Sequence, residues 1–228
     1  MSVIAREQCS LSSFDPLDGL TKTKCPTCDK RRMYFCYDCR VLMPGVYSPQ
    51  VKLPCDVDII KHPMEKNSKS SAIHCKIVAP EQTRVFDVPN VYDYSKDSNS
   101  SGEGSNVLVF PSPSAVSIEE FVRTKGPIKR LIVLDCLPCV SLSSYRTAYW
   151  RPQHDVGEHG LATIEAIYYA QREYQELLSG RPYQGEFDDL LYWFFHTQHY
   201  VNKRQEQYLK RKSGTPGSTT AQKDDEET

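Results

Sequence analysis

Polar residues dominate the first 24 positions of the chain, and they predict a disordered lead-in. The first clear alternation of apolar and polar positions is at 56–60. It places Val57 and Ile59 on one face, as a half-buried strand does. Residues 106–110 and 131–134 are continuous apolar runs, β-branched or leucine-rich, and read as strands buried on both faces. A further strand is expected at 140–145. Helical periodicity follows a short helix at 118–124, a long one at 161–179 closed by Gly180, and one at 187–209. The last carries Phe187, Leu190, Leu191, Phe194, Phe195 and Val201 on its apolar side and ends polar and basic. The strands run into Lys61-His62-Pro63, Pro111-Ser112-Pro113 and Asp135. Polar and turn residues beyond strand carboxyl ends are where α/β sheets place ligands. The predicted architecture is an α/β sheet with flanking helices over 51–209, interrupted by a Ser/Gly-rich loop at 94–105. A Ser/Thr/Gly/Pro-rich, then acidic, tail at 210–228 is expected to be disordered.

One join is too short. Only Asp135-Cys136-Leu137-Pro138-Cys139 separates the run at 131–134 from the strand expected at 140–145. A parallel crossover takes roughly a dozen residues, usually with a helix, so this join allows a bend or hairpin only. Cys136 and Cys139 have no second pair of their own and belong to that join rather than to a metal site.

The strongest local chemistry lies ahead of the body, in a module at 25–45. Cys25-Pro-Thr-Cys28 is followed after seven residues by Cys36-Tyr-Asp-Cys39. Each pair brings two thiolates to one metal from a tight turn, and two pairs complete a tetrahedral structural zinc site. A closed shell of four thiolates leaves no position for substrate. Four reduced thiols without metal, or a redox pair, are the alternatives.

Composition adds limits. The chain has 228 residues, nine cysteines and a formal net charge of −1. No apolar run follows the N-terminal Met, so no secretory leader is expected, and no run is long enough to span a membrane. Reduced thiols fit better than disulfides. Overall charge does not announce nucleic-acid binding, but Lys22, Lys24, Lys30, Arg31, Arg32 and Arg40 crowd the cysteine module. With Tyr34, Phe35 and Tyr37 between them, they could meet RNA phosphates and stack bases, or simply form a solvated surface. Lys210-Arg211-Lys212 reads as a basic helix terminus, with part of a nuclear import signal as the alternative.

Four segments gather polar residues. His62 and Glu65 stand three apart after the first strand, as base or ligand or as an ordinary turn. The 110–115 segment is rich in Pro and Ser. Asp135 ends a buried strand, where a carboxylate is a catalytic candidate. Residues 145–151 offer Arg146 and Arg151 among three aromatics, suited to phosphate contact and base stacking or to the rim of a core. Thr163 and Glu165 open the long helix, where an acidic residue complements the helix dipole. No Gly-rich phosphate loop, Ser-His-Asp set or H-E-x-x-H helix is present.

In this order, the four cysteines, Ile60-Lys61-His62-Pro63-Met64-Glu65, Val109-Phe110-Pro111-Ser112-Pro113, Leu131-Ile132-Val133-Leu134-Asp135, Tyr149-Trp150-Arg151 and Thr163-Ile164-Glu165-Ala166 resemble the DTW-domain family of tRNA-uridine aminocarboxypropyltransferases. The resemblance covers about 25–200, and its eukaryotic branch implies the nucleus, with the cytoplasm as the alternative. It implies a SPOUT-like sheet with a knotted cofactor pocket, S-adenosylmethionine as co-substrate, and tRNA as partner, with no membrane and no protein partner. The implied reaction moves the 3-amino-3-carboxypropyl group to N3 of a D-loop uridine and releases methylthioadenosine. Asp135 matches the first residue of the family's D-x-[TS]-W signature and is the implied base. His62, Glu65, Pro111 and Pro113 would surround the cofactor, with Thr163 and Glu165 as its floor. Arg146 and Arg151 would hold tRNA phosphate or the cofactor carboxylate, with Tyr149 and Trp150 beside them in tRNA contact. The Thr and Trp of the signature are absent, at the same place as the short join. Together these imply an internal deletion of a helix and its turns, on the order of twenty residues. The alternative function is therefore an inactive variant that binds tRNA or RNA without turnover.

Overall fold

A computed structural model of the protein describes residues 2–97, 104–110, 112, 114–135, 145–148 and 160–213. Five two-residue strands come first: β1 (Ser2–Val3), β2 (Thr23–Lys24), β3 (Arg31–Arg32), β4 (Phe35–Cys36) and β5 (Val41–Leu42). β2 pairs with β3 and β4 with β5, both antiparallel, so each C-x-x-C turn lies in its own small hairpin.

The centre is a four-stranded sheet of β6 (Asp56–Lys61), β7 (Thr83–Asp87), β8 (Ser105–Val109) and β9 (Ile128–Asp135). Its spatial order is β7-β6-β9-β8, and every neighbouring pair is parallel. Helix α1 (Ala72–Val78) joins β6 to β7, and α2 (Ile118–Lys125) joins β8 to β9. Ser117 caps α2 by accepting the Glu120 N–H at 3.1 Å. A two-residue strand, β10 (Tyr145–Arg146), precedes α3 (Thr163–Ser179) and α4 (Tyr192–Ser213). Gly180 ends α3 in the left-handed conformation, φ 65°, its N–H bonded to Glu176 O.

Alternation along the strands sorts the two faces of the sheet. Val57, Ile59, Leu131 and Val133 point to one face and pack under α1, α3 and α4, while Val107, Val109 and Leu131 meet α2. Fully buried Trp193, Phe194 and Tyr168 thicken this core, each contributing roughly 1.5–3 kcal/mol. Ile60, Phe86, Leu108, Ile132 and Leu134 alternate to the other face, where the 3-10 turn Tyr94–Asp97 reaches Asp58 and Asn106 but no described α-helix packs. Leu108 there is 53% exposed.

Several sequence expectations change. The 106–110 run is β8, an edge strand with one face open, not a strand buried on both faces. β7 and α1 were not expected at all: six of the seven residues of α1 are buried, so it has no amphipathic period, and Arg84 and Asp87 break the apolar run of β7. Residues 2–24 are not a loose lead-in. Ile4 N–H donates to Tyr169 Oη at 3.1 Å, Ser10 N–H to Asp188 and Ser12 N–H to Asp189, and Leu17 is buried. Backbone N–H groups supply these bonds, and Ser12 Oγ adds one to Asp189 at 2.6 Å. Residues 140–144 lie outside the described set, but Tyr145–Arg146 pairs in parallel with Ser2–Val3 and does not join the main sheet. The helix expected over 187–209 begins as a 3-10 turn, Asp188–Leu191, and α4 continues to Ser213. No described helix is long and apolar enough to cross a membrane.

Candidate functional site

The central strands β6 and β9 end side by side. Lys61 is in register with Asp135, and His62 N–H donates to Asp135 O at 3.0 Å. Asp135 is buried, 4% exposed. Ser70 Oγ, from the loop that leads to α1, donates to Asp135 Oδ2 at 2.6 Å. Thr163 Oγ1, the first residue of α3, donates to Oδ1 at 2.7 Å. Ser71 Oγ accepts the Ile164 N–H at 3.3 Å, so the same loop is tied to the start of α3. Two segments, the loop before α1 and the start of α3, thus converge through neutral hydroxyl donors on one carboxylate at the end of β9.

Glu65 stands in the same loop, half-buried. Its carboxyl is raised above the usual range, by burial first and by the neighbouring Asp135 charge second, against the opposing pull of Lys61, Lys69 and His62. His62 is exposed, and its Nδ1 accepts the Met64 N–H at 3.2 Å within the turn. His62, Glu65, Asp135 and Thr163 therefore share one end of the sheet. Pro111, Pro113, Tyr149, Trp150 and Arg151 lie outside the described residues.

Glu165 is placed differently from Thr163. It is fully buried, and its carboxylate accepts from Thr147 Oγ1 at 2.7 Å, Ala148 N at 2.7 Å and Ala162 N at 2.8 Å. It caps its own helix and pins the segment after β10 to it. Burial raises this carboxyl and those donors oppose the shift. Arg146 sits on β10, exposed, opposite Val3. Tyr145 stacks on Tyr169 at 3.8 Å between ring centroids and serves packing. Ser70 escaped the sequence reading, and Lys61 has no role of its own there. Neither belongs to a recognisable spacing, and only the fold brings Ser70 to Asp135.

The cysteines form the second centre. The ligand atoms of Cys25, Cys28, Cys36 and Cys39 all lie within 4.8 Å of one another, with Cys28 and Cys36 Sγ 3.6 Å apart. Tetrahedral ligation at about 2.3 Å per Zn–S bond requires sulfur separations of about 3.8 Å, so the set fits. Asp29 and Arg40, each just after a second cysteine, have φ 59°. Their N–H groups donate to Cys25 O and Cys36 O. Two left-handed non-glycine residues in the same local geometry are strained unless something fixes both turns. The thiols also conflict as neighbours. Burial acts to raise Cys25, but the Thr27 and Cys28 N–H groups and adjacent sulfurs outweigh it and hold it at about 6. Cys39 is pushed up to about 12, by Cys28 first. A cation removes that conflict by taking all four as thiolates.

The module docks on the body through its rings. Phe35 meets Trp193 edge-on at 5.2 Å, and Tyr34 meets His196 at 4.8 Å. These aromatics therefore do not stand free for base stacking, and Tyr37 lies under Arg32 at 4.1 Å. Much of the basic charge is paired within the chain: Lys24 with Asp29, Lys30 and Arg32 with Asp38, and Arg40 with Asp87. Asp38 also accepts from Asn67 Nδ2 at 2.9 Å, which ties the module to the loop beside Asp135.

The fold and its two centres define an α/β protein with a carboxylate-centred site at the carboxyl edge of a parallel sheet and a separate four-cysteine cluster that could hold a metal ion. No protein-family model matches the chain, and no solved structure does. Curated proteins do match. The tRNA-uridine aminocarboxypropyltransferase 1 of Xenopus tropicalis is 31% identical, over 79% of this chain and 80% of its own length. The Mus musculus and Homo sapiens proteins of that name are each 28% identical, over 81% of this chain and 83% of their own. The chain belongs to the DTW-domain family of tRNA-uridine aminocarboxypropyltransferases. The Xenopus alignment extends over 239 residues while using only 79% of these 228. That relative therefore carries residues inside the matched stretch that this chain lacks.

Proposed function

We propose that the protein transfers the 3-amino-3-carboxypropyl group of S-adenosylmethionine to N3 of a uridine in the D-loop of tRNA, in the nucleus. The observation that carries this reading is the convergence of β6, β9 and α3 on Asp135 in a chain of this family. Asp135, oriented by Ser70 and Thr163, accepts the N3 proton. The N3 lone pair forms the new bond to the arm's terminal methylene as the carbon–sulfur bond breaks. Its electrons stay on sulfur, and methylthioadenosine leaves. A positioned base contributes about 10²–10⁴-fold to such a proton transfer, and alignment of the two reactants supplies much of the rest. A SPOUT-like knotted pocket formed around His62, Glu65, Pro111 and Pro113 belongs to this proposal, as does tRNA contact by Arg146, Tyr149, Trp150 and Arg151. The metal is zinc, in a structural role. Metal analysis should find one zinc per chain and none in Cys36→Ser; zinc retained by that variant would refute the four-cysteine site.

One observation favours a second reading, an inactive variant that binds tRNA without turnover. All four central strands are parallel, yet β10 pairs with β1, and one sheet face has over it no described α-helix, only the 3-10 turn Tyr94–Asp97. Parallel sheets are ordinarily covered on both faces. The residues present in the relatives and lacking here would supply such a cover if they fall after Asp135. The two readings separate when the purified chain is incubated with unmodified tRNA and S-adenosylmethionine labelled in the aminocarboxypropyl arm. Label in tRNA is expected for the transferase. Salt-sensitive tRNA binding without label would establish the second reading instead.

A further inference from the structure

Lys61 is the buried cation of the site. Its residue is 5% exposed, at the last position of β6, in register with Asp135 on one side and Asp87 on the other. A lysine is seldom buried without full pairing, because its ammonium carries three donors and a whole charge. Here the pairing is thin. Nζ donates to His62 O at 3.3 Å, and it lies 3.7 Å from Asp87 Oδ1, beyond hydrogen-bond reach. Asp87 is mostly engaged elsewhere, by Arg40. The two oxygens of Asp135 already accept from Ser70 and Thr163, and Lys61 forms no ion pair with Asp135. Neutralising its neighbours therefore does not account for the lysine. Beside it, the half-buried Glu65 carboxylate has no hydrogen bond or ion pair among the described residues, although Lys61 and Glu65 feel each other's charge.

An under-bonded buried ammonium next to two carboxylates is complementary to a zwitterion. We infer that Lys61 binds the α-carboxylate of the aminocarboxypropyl donor, with Glu65 and Asp135 on the side of its α-ammonium. The inference rests on the proposed donor and adds the residue that selects its amino-acid end. The adenosine end and the sulfur need no contact with Lys61. Its contribution should therefore vanish for a ligand that lacks the carboxylate.

Three probes test this in the full chain by calorimetry: S-adenosylmethionine, its decarboxylated analogue, and methylthioadenosine, which lacks the whole arm. The wild-type chain should bind S-adenosylmethionine roughly 10- to 100-fold more tightly than the decarboxylated analogue, the range expected for a hydrogen bond to a charged group. In Lys61→Met that discrimination should disappear, with methylthioadenosine binding unchanged as proof that the pocket is folded. Lys61→Arg should keep part of it. Discrimination that persists in Lys61→Met, or is absent from the wild-type chain, overturns the inference while leaving the donor intact. A wild-type chain that binds none of the three overturns the donor reading and the inference with it.

Discussion

Asp58 and Asp135 are both buried on the two central strands, and both have their carboxylate oxygens occupied, but by different kinds of partner. Asp58, with no exposed surface, points to the sheet face opposite the helices. It accepts from Arg84 Nε at 2.8 Å, Arg130 Nη1 at 2.8 Å and Tyr94 Oη at 2.8 Å, and Arg130 also reaches Asp56. Asp135 accepts from two neutral hydroxyls, and the nearest buried cation, Lys61, stays apart from it. Two guanidiniums in fixed forks make Asp58 a staple across β6, β7 and β9. Hydroxyls can rotate, so Asp135 is held in place without being neutralised. The contrast separates a carboxylate that secures the fold from one available for chemistry, at nearly equal burial.

Substitution can break this comparison directly. Asp135→Asn keeps the shape and its hydroxyl contacts while removing a base, so turnover on tRNA should fall about 10²–10⁴-fold with melting nearly unchanged. Asp58→Asn should do the reverse. Arg130 keeps Asp56, but Arg84 loses its charge partner, and the loss is expected to cost about 1–3 kcal/mol in denaturant unfolding, while folded molecules keep their turnover. Equal losses of both kinds in both variants would abolish the distinction.

His74 sharpens it with a third buried group that has neither kind of partner. Its Nδ1 has no hydrogen bond among the described residues, and Phe35 lies against its ring. Burial first, and His196 second, lower it from 6.5 to about 3. His196 is lowered to about 4, again by burial first. The unfolded chain takes up these protons near pH 6.5 and the folded one resists. Stability is therefore full above that pH and is lost as pH falls toward the folded values. Between pH 7 and pH 5 His74 alone should cost about 2 kcal/mol. His74→Gln should flatten the slope by that amount in unfolding titrations. An unchanged slope would show that the histidine titrates alike in the folded and unfolded chain.

The four-cysteine cluster was legible in the chain because it depends on spacing within a few residues. Two turns of the same length impose two left-handed residues and four convergent sulfurs wherever the module docks. The central strands were legible for a similar reason, since continuous apolar runs such as the one ending at Asp135 demand burial. Short elements were not. α1 is buried on nearly every side and shows no amphipathic period, β7 is broken by charges, and β8 has the composition of an inner strand yet lies at the edge. The polar lead-in was misread because serine N–H groups near Ser10 and Ser12 find Asp188 and Asp189 only when the chain ends meet. The site divides along the same line. Asp135, His62, Glu65 and Thr163 could be singled out as polar residues at element ends. Ser70 as the partner of Asp135, 65 positions away, and Lys61 as an under-bonded buried cation could not. Local patterns record what a residue requires of its neighbours in sequence. Which charges and hydroxyls face one another is set by parallel register and helix packing, and those contacts join residues that the chain itself keeps far apart.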